Sequence, residues 1–171
     1  ELKVAQLGAF VAEKTDYHHG ENSLYAAIID MAKNYVGSNN LNLLEPIGNF
    51  GSRRVGGHDA ASPRYIFTKL NPLVNYICKR EDEQILPKQY IDDNEANDEI
   101  EPVYYAPTIA VVLMNGALGI GTGFSTTIPN FNPVDIAKNH LRMLEGKELL
   151  QLTPWYRGFK GTIMREKPED H

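Results

Sequence analysis

Apolar residues recur at helical spacing in three parts of the chain, and each stripe predicts a helix. The first helix is expected from Leu2 to about Lys14, the second from near Glu21 to Gly37, and the third from Val134 to about Leu144. The stripes consist of Val4, Leu7, Phe10 and Val11; of Leu24, Ala27, Ile28, Met31, Ala32 and Tyr35; and of Ile136, His140, Leu141 and Leu144. Asn132-Pro133 supplies a start signal for the third, because asparagine caps the free amides and proline fits the first turn.

Shorter apolar runs predict strands. Alternation predicts a strand over 64–70, followed by a short helix that starts at Asn71-Pro72 and runs through Cys78. Small strands are expected within 41–44 and 47–50, and further strands at 103–105, 109–114, 123–128 and 161–164. Two helices about a short turn, followed by a glycine-rich hairpin, are the winged-helix pattern. We therefore predict an α+β fold, with a winged-helix domain followed by a mixed α/β region.

Length and composition are those of a globular protein. The chain has 171 residues and 19.2 kDa, of which 42% are hydrophobic and 23% are charged, enough for one sizeable core with an appendage or for two small cores. Its single cysteine, Cys78, excludes an internal disulfide framework and a cysteine-based zinc cluster, and fits a reducing compartment. Because the chain opens with Glu1 and has no leader-like segment, it is expected to be a piece of a longer protein.

The charge is unevenly distributed. The formal net charge is -5, yet residues 81–101 alone hold nine Asp/Glu against one Lys. That segment has few large apolar residues and is interpreted as a linker or an exposed turn region. Residues 53–69 are basic instead, with Arg53, Arg54, Arg64 and Lys69 against Asp59. A local basic stripe is what contact with DNA phosphates requires, although such a run also occurs on an ordinary solvated surface.

Among the nine tyrosines, Tyr65 has the setting of a nucleophile. It directly follows Pro63-Arg64, next to the basic stripe. A phenol has a pKa of about 10, so a nucleophilic tyrosine needs cationic or basic neighbours, and Arg64 and the His18-His19 pair are candidates. The alternatives are a packing role for the tyrosine and, for the histidines, hydrogen bonds near a helix start. No third ligand stands at a zinc-binding distance in sequence from the histidine pair.

The glycine-rich run over 116–123 matches no nucleotide-binding signature. Its small residues suit a hairpin or bulge that carries one bulky side chain, Ile120, at an exposed position. From composition alone, burial of Ile120 in a core is the other interpretation.

Taken together, these segments resemble the type IIA DNA topoisomerases of eukaryotes and large DNA viruses. The similarity extends over nearly the whole chain, and seven strings carry it in order: Tyr17-His-His-Gly-Glu21, Val36-Gly-Ser-Asn-Asn-Leu-Asn-Leu-Leu44, Pro46-Ile-Gly-Asn-Phe-Gly51, Ala61-Ser-Pro-Arg-Tyr-Ile-Phe-Thr68, Asn115-Gly-Ala-Leu-Gly-Ile-Gly-Thr-Gly123, Pro129-Asn-Phe131 and Phe159-Lys-Gly-Thr-Ile163. Residues 79–100 depart most from the family. The bacterial gyrase branch shares the Asn-Phe-Gly and Arg-Tyr elements but lacks the histidine pair.

The resemblance implies specific roles. Tyr65 matches the family's DNA-cleaving tyrosine, Arg64 the arginine that stabilises the transition state, and His19 the histidine near the scissile phosphate. Ile120 matches the isoleucine that wedges between base pairs and kinks the DNA. Further DNA contacts are expected from Tyr17, His18, Ser23, Arg53 and Arg54. The activity implied is that of an ATP-hydrolysing isomerase, in which a transient 5′-phosphotyrosyl bond opens one duplex while a second duplex passes through.

The same resemblance assigns domains, cofactors and partners. Residues 1–86 would form the winged-helix DNA-cleavage domain and residues 87–171 the first part of the tower domain. Mg²⁺ and ATP would serve the full-length enzyme through domains outside this chain, so the fragment alone is expected to be inactive. Its partners would be double-stranded DNA and a second copy in a homodimer, with no membrane. The enzyme would be intracellular: nuclear in a eukaryotic cell, or in host cytoplasm or virion if viral.

Two other functions fit parts of the sequence. A winged-helix module could grip DNA without covalent chemistry, and the acidic segment could serve as an interaction scaffold. Tyr65→Phe separates the first of these from the enzyme, because it removes the nucleophile without removing charge. The scaffold predicts no detectable binding to duplex DNA even at low salt.

Overall fold

The computed structural model describes residues 1–91 and 99–164. Its helices are α1 (Val4–Thr15), α2 (Glu21–Ala32), α3 (Val74–Ile77), α4 (Val111–Asn115) and α5 (Pro133–Leu144). Its strands are β1 (Leu2–Lys3), β2 (Phe67–Thr68), β3 (Lys88–Tyr90), β4 (Glu99–Pro102), β5 (Ala117–Gly121) and β6 (Phe124–Ile128). They pair antiparallel as β1-β2, β3-β4 and β5-β6. This confirms the α+β class. None of the helices in this part of the chain is long and apolar enough to span a bilayer.

The first core lies between α1 and α2. Val4, Ile28, Ala32, Phe50 and Ile66 are all buried there. The two helices approach closely at a glycine: a Cβ built on Gly8 would lie only 2.6 Å from the ring of Tyr25 on α2. Any larger residue at that position would have to displace the Tyr25 ring, so the close packing here depends on the missing side chain.

Helix α2 is shorter than its apolar stripe predicts. It ends at Ala32, and Lys33 takes an extended conformation, with φ -53° and ψ 133°. The Asn39 side chain then donates to the backbone oxygens of Asp30 and Lys33, at 2.7 and 2.9 Å. These bonds satisfy carbonyls that the next helical turn would have used. The predicted end at Gly37 is therefore wrong, and Tyr35 lies beyond the helix.

The second core contains residues from both sides of the domain boundary predicted at residue 86. Ile77, Met114 and Ile136 are buried together, and Leu41 and Leu43 pack against them. The strand predicted over 109–114 is wrong, because Val111–Asn115 is the helix α4. A short apolar run is compatible with either a buried strand or a buried helix, and here packing decides.

Other strand predictions also need correction. Residues 103–105 and 161–164 form no strand. The run from Arg64 to Leu70 contains only the two-residue strand β2, extended by single bridges from Phe67 to Ile47 and from Leu70 to Leu44. Residues 41–44 and 47–50 make no strands beyond these bridges.

The acidic segment is more ordered than a linker. It contains a 3₁₀ turn at Asp82–Gln84 and the paired strands β3 and β4. The Lys88 ammonium lies 2.7 Å from a Glu99 carboxylate oxygen, and this hydrogen bond raises the pKa of Lys88. An ion pair across the strands thus supports a sheet that apolar content alone did not predict. Residues 92–98 lie outside the described part.

Two predictions in the second half are confirmed. The third helix is α5, whose cap Asn132 accepts from the Val134 amide at 2.9 Å, with Pro133 in its first turn. The glycine-rich run forms a hairpin, in which β5 pairs with β6 from Ala117 opposite Ile128 to Gly121 opposite Phe124. We call this the Ile120 hairpin.

Candidate nucleic-acid interface

Tyr65 sits at the end of a turn that points its ring into solvent. The Tyr65 amide donates to the Ser62 carbonyl at 2.9 Å, and the Pro63 carbonyl accepts from Ala5 at the start of α1. The next residue, Ile66, is only 1% exposed and anchors the turn in the first core, whereas Tyr65 is 69% exposed. A buried role for this tyrosine is therefore ruled out.

Arg64 lies beside the Tyr65 ring. The carbon at the centre of its guanidinium is 5.2 Å from the ring centroid, which is within the range of a cation-π contact. Both side chains are exposed. A fixed positive charge next to the phenol is the arrangement that a phosphate group would meet on approach.

Exposure and a nearby cation do not by themselves single out Tyr65. Tyr76 is 68% exposed, and the Lys79 ammonium lies 5.7 Å from its ring centroid. Arginine differs from lysine in that its planar fork can hold two phosphate oxygens at once. Tyr76 therefore serves as a matched comparison for Tyr65.

The turn between α1 and α2 carries the histidine pair. The ring of His19 meets that of Tyr17 edge-on, with centroids 5.3 Å apart, and both histidines are exposed. His18 Nε2 lies 3.1 Å from an Asp16 carboxylate oxygen. A hydrogen bond of the expected kind is thus present at His18, whose ring stays exposed. Ser23 is exposed in the first turn of α2.

The structure joins Arg64 to Tyr65 but does not join His19 to either. Within residues 1–91 and 99–164, no hydrogen bond, ion pair or ring contact links His19 to this pair. The turn of Tyr65 attaches at the N-terminal end of α1, and the histidine pair follows its C-terminal end. His19 can act together with Arg64 and Tyr65 only if one DNA duplex contacts both turns.

Residues 52–59, at the start of the basic stripe, form a closed loop, which we call the basic loop. Arg53 lies in the 3₁₀ turn Arg53–Val55, and Arg54 beside it is exposed. The Ser52 amide donates to the Asp59 carboxylate at 2.7 Å. Hydrogen bonds from the side chain and then the backbone of Ser52 lower the pKa of Asp59. Because the pKa of Asp59 is lowered in the folded protein, its hydrogen bonds stabilise the loop at pH values above the ordinary aspartate pKa. This stabilisation is lost as the pH falls through the lowered pKa of Asp59.

The structure adds residues that sequence reasoning missed. The guanidinium of Arg53 lies 5.6 Å from the ring centroid of Phe159, and Arg157 donates to the Asn42 side chain at 3.3 Å. Phe159 and Arg157 both come from the far end of the chain, and Lys160, which follows Phe159, is exposed. No local pattern signals a contact over about a hundred positions.

Ile120 is 85% exposed on the Ile120 hairpin, so the interpretation of burial is wrong. Side chains two apart on a strand share a face, which places Leu118, 75% exposed, beside it. Phe124 is 83% exposed and, paired with Gly121, lies on the opposite face. Leu118 and Ile120 thus form an exposed apolar pair on one face of the hairpin, a surface available to a bound partner.

A metal has no evident place among these side chains. Across the described ranges 1–91 and 99–164, no group of three or more His, Cys, Asp or Glu side chains is placed to hold an ion.

Comparison with known proteins identifies the class. The family model for the A-subunit of DNA gyrase/topoisomerase IV matches residues 1–171. The DNA topoisomerase 2 proteins of Bombyx mori and Arabidopsis thaliana are each 55% identical over 163 residues, 95% of this chain. Human DNA topoisomerase 2-alpha is 52% identical over 171 residues, 100% of this chain. The chain belongs to the family of DNA gyrase/topoisomerase IV A-subunits.

A solved structure agrees with this. The chain is similar to the Plasmodium falciparum topoisomerase II DNA-binding, cleavage and re-ligation domain, with a TM-score of 0.89 and 49% sequence identity over 97% of this chain and 22% of that one. Within the family the similarity is therefore to the eukaryotic type II enzymes. The chain spans about a tenth of the length of these curated relatives: 10% for Bombyx mori and 11% for Arabidopsis thaliana and human.

Proposed function

We propose that this chain is part of the DNA breakage-reunion core of a type II DNA topoisomerase, with Tyr65 as the nucleophile. One observation carries the proposal: the Tyr65 ring is 69% exposed with the Arg64 guanidinium against it, on a turn anchored by buried Ile66. The solved relative is named for DNA binding, cleavage and re-ligation, which is the chemistry that such a pair supports.

The proposed step is a transesterification. The Tyr65 phenolic oxygen attacks a backbone phosphorus, a phosphorus-oxygen bond to the phenol forms, and the bond to the 3′ oxygen breaks. The phenol proton leaves to a base, and the departing strand takes up a proton as its 3′-hydroxyl. Because one phosphoester replaces another, the reverse reaction reseals the strand without an external energy source. When both strands are cleaved in this way, a second duplex passes through the double-strand gap before resealing.

The residues around Tyr65 would position the DNA and stabilise the transition state. Arg64 would hold the non-bridging oxygens, where charge builds up in the transition state. His19 would contact the scissile phosphate from the turn between α1 and α2. Tyr17, His18, Ser23, Arg53 and Arg54 would contact the DNA backbone, which fixes register rather than sequence preference.

Ile120 would enter the duplex between two base pairs. Partial unstacking of one step costs roughly a few kcal/mol, which wider contact with bent DNA offsets. An exposed isoleucine at a hairpin tip is shaped for this, since it has no buried packing to give up on entering the stack.

The remaining assignments follow the family. We propose residues 1–86 as the winged-helix cleavage domain and residues 87–171 as the start of the tower domain, although the second core joins the two. Mg²⁺ and ATP would act through parts of the enzyme outside this chain, so the fragment alone would not cleave DNA. The enzyme would work as a homodimer on double-stranded DNA, in the nucleus of a eukaryotic cell.

The test grafts this segment into a full-length type II topoisomerase in place of its counterpart; we call the product the grafted enzyme. Rapid denaturation during reaction with supercoiled DNA should yield linear DNA that enters a gel only after protease digestion, because protein is covalently attached to it. A grafted enzyme that binds DNA yet never yields protein-linked DNA would favour the non-catalytic winged-helix module instead.

A further inference from the structure

Two asparagines bracket the Ile120 hairpin. Asn115 ends α4 and precedes Gly116, the residue before β5. Asn130 follows the other strand, separated from it only by Pro129. The hairpin itself is open to solvent, since residues 117–127 are all exposed. Its direction is therefore set at its base.

Both asparagines bind the same loop of the first half. The Asn115 side chain accepts from the Leu41 amide at 3.0 Å and donates to the Leu41 carbonyl at 2.8 Å. The Asn130 side chain donates to the Ser38 carbonyl at 2.7 Å. Hydrogen bonds between a side-chain amide and a fixed backbone define direction as well as distance. We call these contacts the amide clasp.

The loop held by the clasp is itself tied to α2. The Asn39 side chain donates to carbonyls at the end of that helix. Asn40 is 4% exposed, donates to the Phe131 and Trp155 carbonyls, and accepts from the Arg157 amide. A continuous set of amide contacts thus runs from the end of α2 to both ends of the Ile120 hairpin.

The backbone at the base leaves no slack. Gly116 has φ +71°, and a Cβ built there would lie 2.5 Å from the Asn130 side-chain oxygen. Glycine is needed on both counts, because other residues avoid this φ and would displace Asn130. Asn130 is itself only 7% exposed, so its amide has little access to water as an alternative partner.

We propose that Asn115 and Asn130 are positioning residues, which hold Ile120 at a fixed depth relative to α2 so that it enters the duplex rather than tilting away. This rests on the proposed function, in which Ser23 at the start of α2 contacts the DNA and Ile120 is the wedge.

Geometry shows why the base matters. Ile120 lies five residues beyond Asn115, or about 16 Å along a strand at about 3.3 Å per residue. A tilt of about 15° at the base moves the tip by about 4 Å, more than the roughly 3.4 Å between successive bases of one strand. An Ile120 side chain that could move this far would slide along the groove instead of separating two stacked base pairs. The hydrogen bonds between the Asn115 and Asn130 side chains and the backbone of the loop prevent this movement.

The test measures bending and cleavage in the grafted enzyme. Asn115→Ala and Asn130→Ala are compared with Ile120→Ala on a duplex that carries a donor and an acceptor dye at its ends. Each clasp variant should reduce the bent fraction by about tenfold, the scale on which loss of buried hydrogen bonds acts. Gly116→Ala is a further variant, which displaces Asn130 without removing its amide.

A pre-opened DNA separates positioning from general damage. On a duplex with a single-nucleotide gap at the entry step, unstacking is already complete, so cleavage by the clasp variants should return to within about twofold of the unaltered grafted enzyme. A merely structural defect would lower cleavage on both DNAs alike. If no clasp variant folds, the asparagines are folding elements and the proposal is wrong.

Asn139 provides the matched control. It is 8% exposed and makes the same pair of bonds as Asn115, donating to the Leu150 carbonyl at 2.7 Å and accepting from its amide at 2.8 Å. Asn139→Ala should lower the melting temperature to a similar extent and leave bending intact. Normal bending in Asn115→Ala and Asn130→Ala, with bending lost in Ile120→Ala, would overturn the clasp alone. Normal bending in Ile120→Ala would overturn the wedge itself.

Discussion

Replacing Tyr65 with phenylalanine in the grafted enzyme should lower covalent DNA attachment by at least about a thousandfold, because no other group can replace an absent nucleophile. The substitution removes one oxygen from a ring that is 69% exposed, so the fold should be unaffected. DNA affinity should change by less than about twofold. Binding is dominated by positively charged side chains that contact the phosphates, and removal of the phenol oxygen removes no positive charge. Protein-linked DNA after denaturation measures the first effect, and fluorescence anisotropy at fixed salt the second.

Tyr76→Phe is the control for this experiment. Tyr76 is 68% exposed with Lys79 over its ring, so it matches Tyr65 in exposure and in the presence of a cation. It should retain full covalent attachment. If Tyr65→Phe still formed protein-linked DNA, or if Tyr76→Phe lost it, the assignment of the nucleophile would be wrong.

Replacing Arg64 with alanine should reduce the rate of DNA cleavage by about a hundredfold to a thousandfold, the usual loss when one preorganised donor to a developing charge is removed. Two causes combine: the positive charge near the phosphate is lost, and so is the contact that holds the Tyr65 ring at 5.2 Å. Arg64→Lys should recover only part of the rate, because an ammonium cannot bind two phosphate oxygens in one plane. Single-turnover cleavage at saturating DNA gives these rates.

Arg54→Ala separates this effect from simple charge loss. Arg54 is an exposed arginine of the basic loop, without a contact to Tyr65 among the residues described. Its removal should weaken DNA binding and lower the salt dependence by about one counterion, while cleavage at saturating DNA stays within about threefold. Equal losses of cleavage rate in Arg54→Ala and Arg64→Ala would reduce Arg64 to an ordinary phosphate contact.

The sequence predicts the helices well where periodicity and capping agree. Asn132-Pro133 marks the start of α5 to within a residue, and the stripe from Leu24 to Ala32 marks α2. The same reasoning carries α2 too far, because Tyr35 continues the stripe while Asn39 binds the last carbonyls and ends the helix. Periodicity reports which face is buried but not where the backbone finds other hydrogen-bond partners.

Long-range contacts lie beyond local pattern. The run 109–114 is apolar enough for a buried strand or a buried helix, and only packing of Met114 with Ile77 and Ile136 decides for the helix. The amide clasp joins residues more than seventy positions apart, from Leu41 to Asn115. Nothing in the neighbours of an asparagine tells whether its side chain lies in a turn or binds a distant backbone.

The candidate site divides in the same way. The exposure of Tyr65 and Ile120 and the contact of Arg64 with the tyrosine ring agree with the expectations drawn from family resemblance. The roles of Tyr65, Arg64 and Ile120, like those of His19 and the other DNA-contacting residues, stay predictions, because they concern a DNA ligand. The Arg53-Phe159 contact had no signal in the sequence, since its partners meet only in the fold.

The residue that becomes linked to DNA can be identified chemically. The grafted enzyme is trapped on DNA, the complex is digested with nuclease and protease, and the modified peptide is sequenced by mass spectrometry. We expect one nucleotide attached through its 5′-phosphate to the oxygen of Tyr65. A nucleotide on any other residue, or a link through a 3′-phosphate, would contradict it.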